Sequence, residues 1–422
     1  MSPFDGSKIE AETFKNTQNQ VAFLGIKARN SASQEIRGLQ PIKSFQFVDE
    51  ETGEITNLVD KGNGLKPVRN SQEYRADRFA MKAVVNRIFP HSSTAKCCRA
   101  KLPKKKVKIL KDKVHKKAFY SGLRKCCSVW LCPICAAKIA ERRSIFLQTC
   151  IDLATAKGWH VYLLTVTTPH GVGDDLKTVL DKLIKAWNSI NNNRDGKAVK
   201  ATLQVEGTIR ATEVTHGDLN GFHPHFHVLV FTSNRWSTGY LEELYRPLWQ
   251  DCCVKAGLPR PSDFYGLRVH SAEQAAAYVA KGLWGLPQEM TKGHQKTAKS
   301  EKGMTPWGFL MEVLKTGSKR FERLFFIYAE AFKGKKQLTP SLGLYEKLGV
   351  LDLSDEELTA IEEESASVLS ELTDNQWRSV MMARCESSLL DLAERDPTQI
   401  QTFLKMLQEN YYKKLKEKKT YE

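Results

Sequence analysis

Two histidines, His225 and His227, stand at alternate positions in the apolar run Gly221-Phe222-His223-Pro224-His225-Phe226-His227-Val228-Leu229-Val230-Phe231. A β-strand repeats every two residues, so these imidazoles, with His223 before them, share one face while Phe226 and Val228 take the other. Neutral imidazoles so placed can hold one divalent ion. Upstream, Glu213 closes the run Thr208-Ile209-Arg210-Ala211-Thr212, and the turn-like Thr215-His216-Gly217-Asp218-Leu219-Asn220-Gly221 follows it. Gly-Asp and Asn-Gly mark a hairpin, which puts Glu213 on the strand beside the histidines. A carboxylate with two imidazoles suits a hard cation, Mg²⁺ or Mn²⁺.

A second segment, Ser271-Ala272-Glu273-Gln274-Ala275-Ala276-Ala277-Tyr278-Val279-Ala280-Lys281, has the alanine content and S-x-x-Q opening of a capped helix. Three positions apart, Tyr278 and Lys281 share a helical face, and a phenol beside an ammonium is a plausible nucleophile. The apolar Val161-Tyr162-Leu163-Leu164-Thr165-Val166-Thr167-Thr168-Pro169-His170 reads as a buried strand ended by Pro169, its threonines placed beside something polar. Farther upstream, Cys132-Pro133-Ile134-Cys135 has the C-x-x-C spacing of a zinc knuckle, and thiols at Cys97-Cys98 and Cys126-Cys127 are available to complete a tetrahedral site. Each segment also has a plainer reading. The histidines could only hydrogen-bond, Glu213 could be a surface residue, Tyr278 could pack a helix, and the cysteines could form disulfides or a redox pair.

In this order and spacing, the segments resemble the motifs of the HUH endonucleases, most closely the rolling-circle replication initiators of small plasmids and phages. L-T-V-T-T-P-H matches the first motif, H-P-H-F-H-V-L-V-F carries the histidine pair, A-A-A-Y-V-A-K-G is similar to the Y-x-x-K nucleophile motif, and A-F-K-G-K-K-Q-L-T-P-S-L-G-L resembles the closing segment. The resemblance covers roughly residues 96 to 350. It implies an α+β fold with an HUH-type central antiparallel β-sheet flanked by helices, an upstream cysteine-rich zinc-binding module and a helical C-terminal extension. It also implies a metal-dependent nickase for single-stranded or extruded DNA, with Glu213, His225 and His227 on the divalent cation, Tyr278 as nucleophile and Lys281 beside it. By the family pattern the zinc ligands are Cys126, Cys132 and Cys135, with Cys97 favoured over Cys98. Related initiators carry a glutamate one turn before the tyrosine, where this chain has Gln274. An amide is no general base, so termination here would need another group or another route. Transposases and relaxases share this chemistry, and a zinc-dependent DNA-binding regulator without cleavage is the rival from another class.

The balance of charge agrees with a nucleic-acid partner: the 422 residues carry a net charge of +16 and ten cysteines. Lysines crowd the cysteine loop, including Lys104, Lys105 and Lys106, and recur at Lys333, Lys335 and Lys336, where they would meet phosphates without sequence preference. Residues 1–95 read as a polar, partly flexible region, 96–145 as the basic zinc module, 146–350 as the nuclease domain and 351–422 as a helical acidic-to-basic tail. Helices are expected near Leu176 to Asn188, near Tyr240 to Ala256 and from Pro306, and Ser354-Asp355-Glu356-Glu357 reads as a helix start. No membrane span and no phosphate-binding loop are evident, so a host helicase and polymerase are the implied partners, in a bacterial cytoplasm.

Overall fold

The computed structural model describes residues 44–48, 55–60, 65–67, 71–113, 116–271, 303–360 and 366–419. They divide between two compact units, one comprising residues 129–131 and 136–358, the other 22–128, 132–135 and 359–422. The chain is a mixture of helices and antiparallel sheets.

The second unit holds strands β1 (Ser44–Val48), β2 (Ile55–Asp60) and β3 (Leu65–Pro67), which form a small antiparallel sheet. Helix α1 (Ser71–Ile88) and the short α2 (Ser93–Lys96) follow. Strands β4 (Val107–Asp112) and β5 (Ala118–Ser121) pair antiparallel.

The first unit contains most of α3 (Pro133–Ala156), β6 (His160–Val166), α4 (Leu176–Asn192), α5 (Arg194–Thr202), β7 (Val205–Gly217), β8 (Gly221–Thr232), α6 (Thr238–Lys255), β9 (Leu267–His270), α7 (Pro306–Thr316), α8 (Lys319–Phe332), β10 (Leu338–Pro340) and α9 (Leu344–Leu348). Its five strands lie in the order β10-β7-β8-β6-β9, every neighbour antiparallel. Both faces are covered. Leu183, Trp187 and Ile190 of α4 and Tyr245 and Trp249 of α6 pack on Tyr162, Leu164, Phe226, Val228 and Val230. Leu147, Ile151 and Ala154 of α3 and Leu344 of α9 pack on Val161, Leu163, Ile209, Leu229 and Phe231. Double-sided burial explains why β8 reads as a nearly continuous apolar run from Phe226.

The expected helices at α4, α6 and α7 are present, α4 opening on the Asp175 side chain that accepts from the Thr178 amide. Helix α3 opens on Pro133, whose missing N–H costs nothing at the first position of a helix. The hairpin tip is also shorter than expected. Thr215, His216 and Gly217 continue the β7 ladder against His223, Phe222 and Gly221, leaving only Asp218, Leu219 and Asn220 as the turn.

Beyond α10 (Asp355–Ala360), which the Ser354 hydroxyl caps at the Glu357 amide, the chain departs from the all-helical tail expected of it. Strand β11 (Ala366–Leu372) pairs antiparallel with β4 and completes the sheet β11-β4-β5. Helices α11 (Asp374–Ala383), α12 (Glu386–Arg395) and α13 (Ile400–Lys419) then close over it. Trp377, Val380, Leu389, Leu390 and Leu404 meet Val107, Ile109 and Tyr120 in one core. Among the described residues no helix is long and apolar enough to cross a membrane.

Candidate metal centres

Among the described residues two groups of side chains could hold a metal ion, Glu213 with His225 and His227, and Cys97 with Cys126, Cys132 and Cys135. Within each group the ligand atoms lie within 4.8 Å of one another.

The first group is a product of register. Glu213 on β7 stands directly opposite His225 on β8, Ala211 opposite His227, and His227 opposite Thr165 of β6. Directly opposed residues share a face, so carboxylate and imidazoles are delivered to one side of the sheet. The Glu213 Oε2 lies 3.6 Å from Nε2 of both histidines. The outer nitrogens are held elsewhere, His225 Nδ1 by the carbonyl of His223 at 3.1 Å and His227 Nδ1 by the Thr165 hydroxyl at 3.0 Å. A carbonyl only accepts, so the Nδ1–H of His225 donates to it, and Nε2 is the nitrogen turned toward the carboxylate.

Burial pushes His227 down to about 4 against the pull of the Glu213 carboxylate, which keeps it in the neutral, ligating form. Two imidazole lone pairs converging on a carboxylate oxygen fit a cation among them. Cis ligands about 2.2 Å from an octahedral ion stand about 3.1 Å apart, so the observed spacing closes with a small side-chain movement.

His223, third in the alternation, stacks on His225 with ring centroids 4.9 Å apart. Its Nδ1 is 3.3 Å from Nδ1 of His170, which itself sits 3.0 Å from the Thr168 carbonyl. His170 is therefore the donor and His223 the acceptor. Burial first, then the imidazoles of His225 and His170, pushes His223 down to about 3.

The four cysteines come from three places in the chain: Cys97 after α2, Cys126 after β5, and Cys132 and Cys135 around the start of α3. The Sγ of Cys97 lies 3.5 Å from that of Cys135 and 3.8 Å from that of Cys132, while Cys126 and Cys135 are 3.9 Å apart. Thiolates about 2.3 Å from one tetrahedral zinc stand about 3.8 Å from each other, so the group has the dimensions of a Cys₄ zinc site. Burial raises the Cys132 thiol well above its ordinary range, whereas the thiols of Cys132 and Cys135 draw Cys126 down. Among the described residues, Cys98 and Cys127 are not members of the group: Cys98 Sγ contacts only Cys97 Sγ, at 3.6 Å, and Cys127 Sγ lies 3.2 Å from the Thr359 hydroxyl. None of the ten cysteines is in a disulfide.

Tyr278 and Lys281, with Gln274, lie outside the described residues. Of the lysines assigned to DNA, Lys104, Lys105, Lys106, Lys333 and Lys336 are exposed. Lys335 is half-buried and paired with Asp181. Lys106 shares the Glu371 carboxylate with Lys108, at 3.0 and 2.9 Å.

The Thr165 anchor and the His170–His223 contact were not assigned from sequence. The polar threonines of the buried strand were their one visible signal.

Residues 122–258 match the family described as replication protein. The chain is 30% identical over 140 residues to a protein rep of Streptomyces lividans, covering 27% of this chain and 31% of that one. It is 28% identical over 138 residues to a neomycin resistance protein of Streptomyces cyanogenus, covering 27% and 32%. A protein rep of Lentilactobacillus hilgardii is 24% identical over 193 residues, or 42% of this chain and 60% of the relative. The chain thus spans about a third of the two Streptomyces proteins. No solved structure matches it. The matched stretch includes Cys126, Cys132, Cys135, Glu213, His225 and His227, so both candidate metal groups draw on residues from the part of the chain that is similar to the replication protein family.

Proposed function

We propose that the protein initiates rolling-circle replication by nicking single-stranded or extruded origin DNA, with Tyr278 as nucleophile and an HUH-type centre at Glu213, His225 and His227. The convergence of those three side chains on adjacent strands, inside the segment matched by the replication protein family, carries this reading.

A bound Mg²⁺ or Mn²⁺ supplies Lewis acidity toward a non-bridging phosphate oxygen. Glu213 and the two Nε2 atoms hold and orient that ligand, and Thr165 and the His223 carbonyl keep the imidazoles turned toward it. The Tyr278 oxygen gives up its proton and bonds to phosphorus. The bond from phosphorus to the 3′ oxygen breaks, and that oxygen takes up a proton to become the priming 3′-OH. The 5′ end stays on the tyrosine as a phosphodiester, so a later 3′-OH can reverse the exchange without ATP. Lys281 neutralises charge near the phenolic oxygen.

Cys97, Cys126, Cys132 and Cys135 hold a structural zinc, and the lysines around them contact the phosphate backbone. A helicase and a polymerase of a bacterial host would extend the primed strand.

The test is incubation of the purified protein with Mn²⁺ or Mg²⁺ and hairpin oligonucleotides from its own replicon, with peptide mass mapping of the covalent product. An adduct on Tyr278, absent from Tyr278→Phe while DNA affinity stays within a few fold, is the expected result. Tyr278→Phe that still cleaves would overturn the nucleophile. DNA binding by wild type without any adduct would favour the regulator reading.

A further inference from the structure

The loop between α6 and β9 presents two large aromatic side chains to solvent, Phe264 at 72% and Tyr265 at 79% exposure. Exposed aromatic neighbours are unfavourable in water unless something covers them. This pair is also held rigidly. The Thr167 hydroxyl donates to the Tyr265 carbonyl at 2.8 Å, and the Thr167 amide to the Gly266 carbonyl at 3.0 Å. The Tyr265 amide donates to the Ser262 hydroxyl, and Gln250 holds the Pro261 carbonyl and the Asp263 carboxylate. Gly266 fits so closely that a Cβ would stand 2.5 Å from the Pro261 side chain. The aromatics are therefore mounted on a fixed support.

That support adjoins the candidate metal centre. His227 stands opposite Thr165, and Thr165 opposite Arg268, so all three share one face of the sheet. Strands are about 4.8 Å apart, which places the Arg268 backbone roughly 10 Å from that of His227. Arg268 is exposed and makes no ion pair among the described residues. Next along the chain toward the sheet end are Gly266, Tyr265 and Phe264, beside Thr167. An unpaired cation followed by two exposed rings, in line with a candidate phosphate-activating centre, is complementary to a single strand, with phosphate to the guanidinium and bases to the rings.

We propose that Phe264 and Tyr265 form a base-stacking subsite, and Arg268 a phosphate contact, for the unpaired nucleotides flanking the scissile phosphate. The assignment rests on the nicking centre proposed above and extends it to the substrate's bases. Stacking is sequence-tolerant, so this subsite selects single strands over duplex and leaves origin choice to other residues. Sequence reading passed over the pair because it lies in a loop without periodicity.

Fluorescence anisotropy of the full chain on a short poly-dT oligonucleotide, and on an abasic deoxyribose-phosphate strand of equal length, tests this directly. The Phe264→Ala/Tyr265→Ala variant should lose about tenfold affinity per unstacked base on poly-dT and little on the abasic strand. Phe264→Trp/Tyr265→Trp should bind poly-dT as well as wild type, which separates stacking from a folding defect. Arg268→Gln should weaken both ligands equally. Equal binding of poly-dT by wild type and the alanine variant, an equal loss on both strands, or wild type that fails to distinguish them would overturn the proposal. The nicking reading fails separately: wild type that stacks poly-dT through these rings yet forms no tyrosyl adduct refutes the nuclease and leaves the subsite standing.

Discussion

Thr165→Val removes one hydroxyl from the wall of the candidate metal centre and little else. Thr165 sits on β6 between His227 on one neighbouring strand and Arg268 on the other, so ladders on both sides fix its backbone. Valine keeps the branched shape and the stiff χ1. What disappears is the 3.0 Å contact from Oγ1 to His227 Nδ1, which fixes the ring so that Nε2 faces Glu213. A neutral hydrogen bond is worth about 1 kcal/mol net, and more as the imidazole gains positive character on binding a cation. Loss of such an outer contact to a metal-bound histidine lowers affinity about 10- to 100-fold, equivalent to ~1.4–2.7 kcal/mol. Titration of wild type, Thr165→Val and Thr165→Ser with Mn²⁺, followed by water-proton relaxation, should give weakened binding only in the valine variant, at an unchanged thermal midpoint. Equal Mn²⁺ affinity in wild type and Thr165→Val would show that packing alone orients His227. Serine as weak as valine would show that the methyl group, not the hydroxyl, matters.

Three further outcomes follow from the same geometry. Cys132→Ser should reduce bound zinc, measured by atomic emission, from one per chain to near zero and lower the unfolding temperature, since a structural zinc contributes folding energy outright; full zinc retention would remove Cys132 from the ligand set. Gly221→Ala, at φ +72° with its Cβ 2.9 Å from the Gly171 carbonyl and the Val172 Cα, should cost at least about 1–2 kcal/mol in urea unfolding and weaken Mn²⁺ binding through the adjoining histidines. An unchanged midpoint would mean that loop 171–172 moves aside freely. Lys104→Ala/Lys105→Ala should reduce the salt slope of DNA binding by about two, whereas Glu371→Gln should steepen it by releasing Lys106 and Lys108; a slope unaffected by both would place the DNA elsewhere.

The parts of the site visible in the sequence are those whose signal is local. Alternation alone places His225 and His227 on one face, and Gly-Asp with Asn-Gly signals the hairpin carrying Glu213 beside them. The register needs more than those dipeptides. The turn-prone composition of 215–221 is overridden by seven further ladder pairs from Ala211 to Gly217, which stretch the strands and set Glu213 opposite His225. The anchor on His227 was beyond reach for another reason, since Thr165 and His227 are 62 positions apart and meet only because β6 chooses β8 as its neighbour. Cys132 and Cys135 are legible by spacing. Cys97 joins them across 38 positions, and adjacency to Cys98 hides which thiol turns inward.

The same distinction governs the charge. A lysine run is conspicuous in sequence, but the carboxylates that answer it are not. Lys106 meets Glu371 across 265 positions, Lys101 meets Asp374, and Lys117 meets Glu394. These partners arrive because β11 adds itself to β4 and α12 packs beyond it, a closure encoded in side chains that look, locally, like a charged helical tail. Net charge therefore overstates the field this unit offers to a phosphate backbone. Exposed pairs of this kind are worth little to stability and are screened by salt, so their main consequence is competitive: each acid occupies a lysine that DNA must win. Lys104 and Lys105, exposed and without an ion pair among the described residues, need no such exchange.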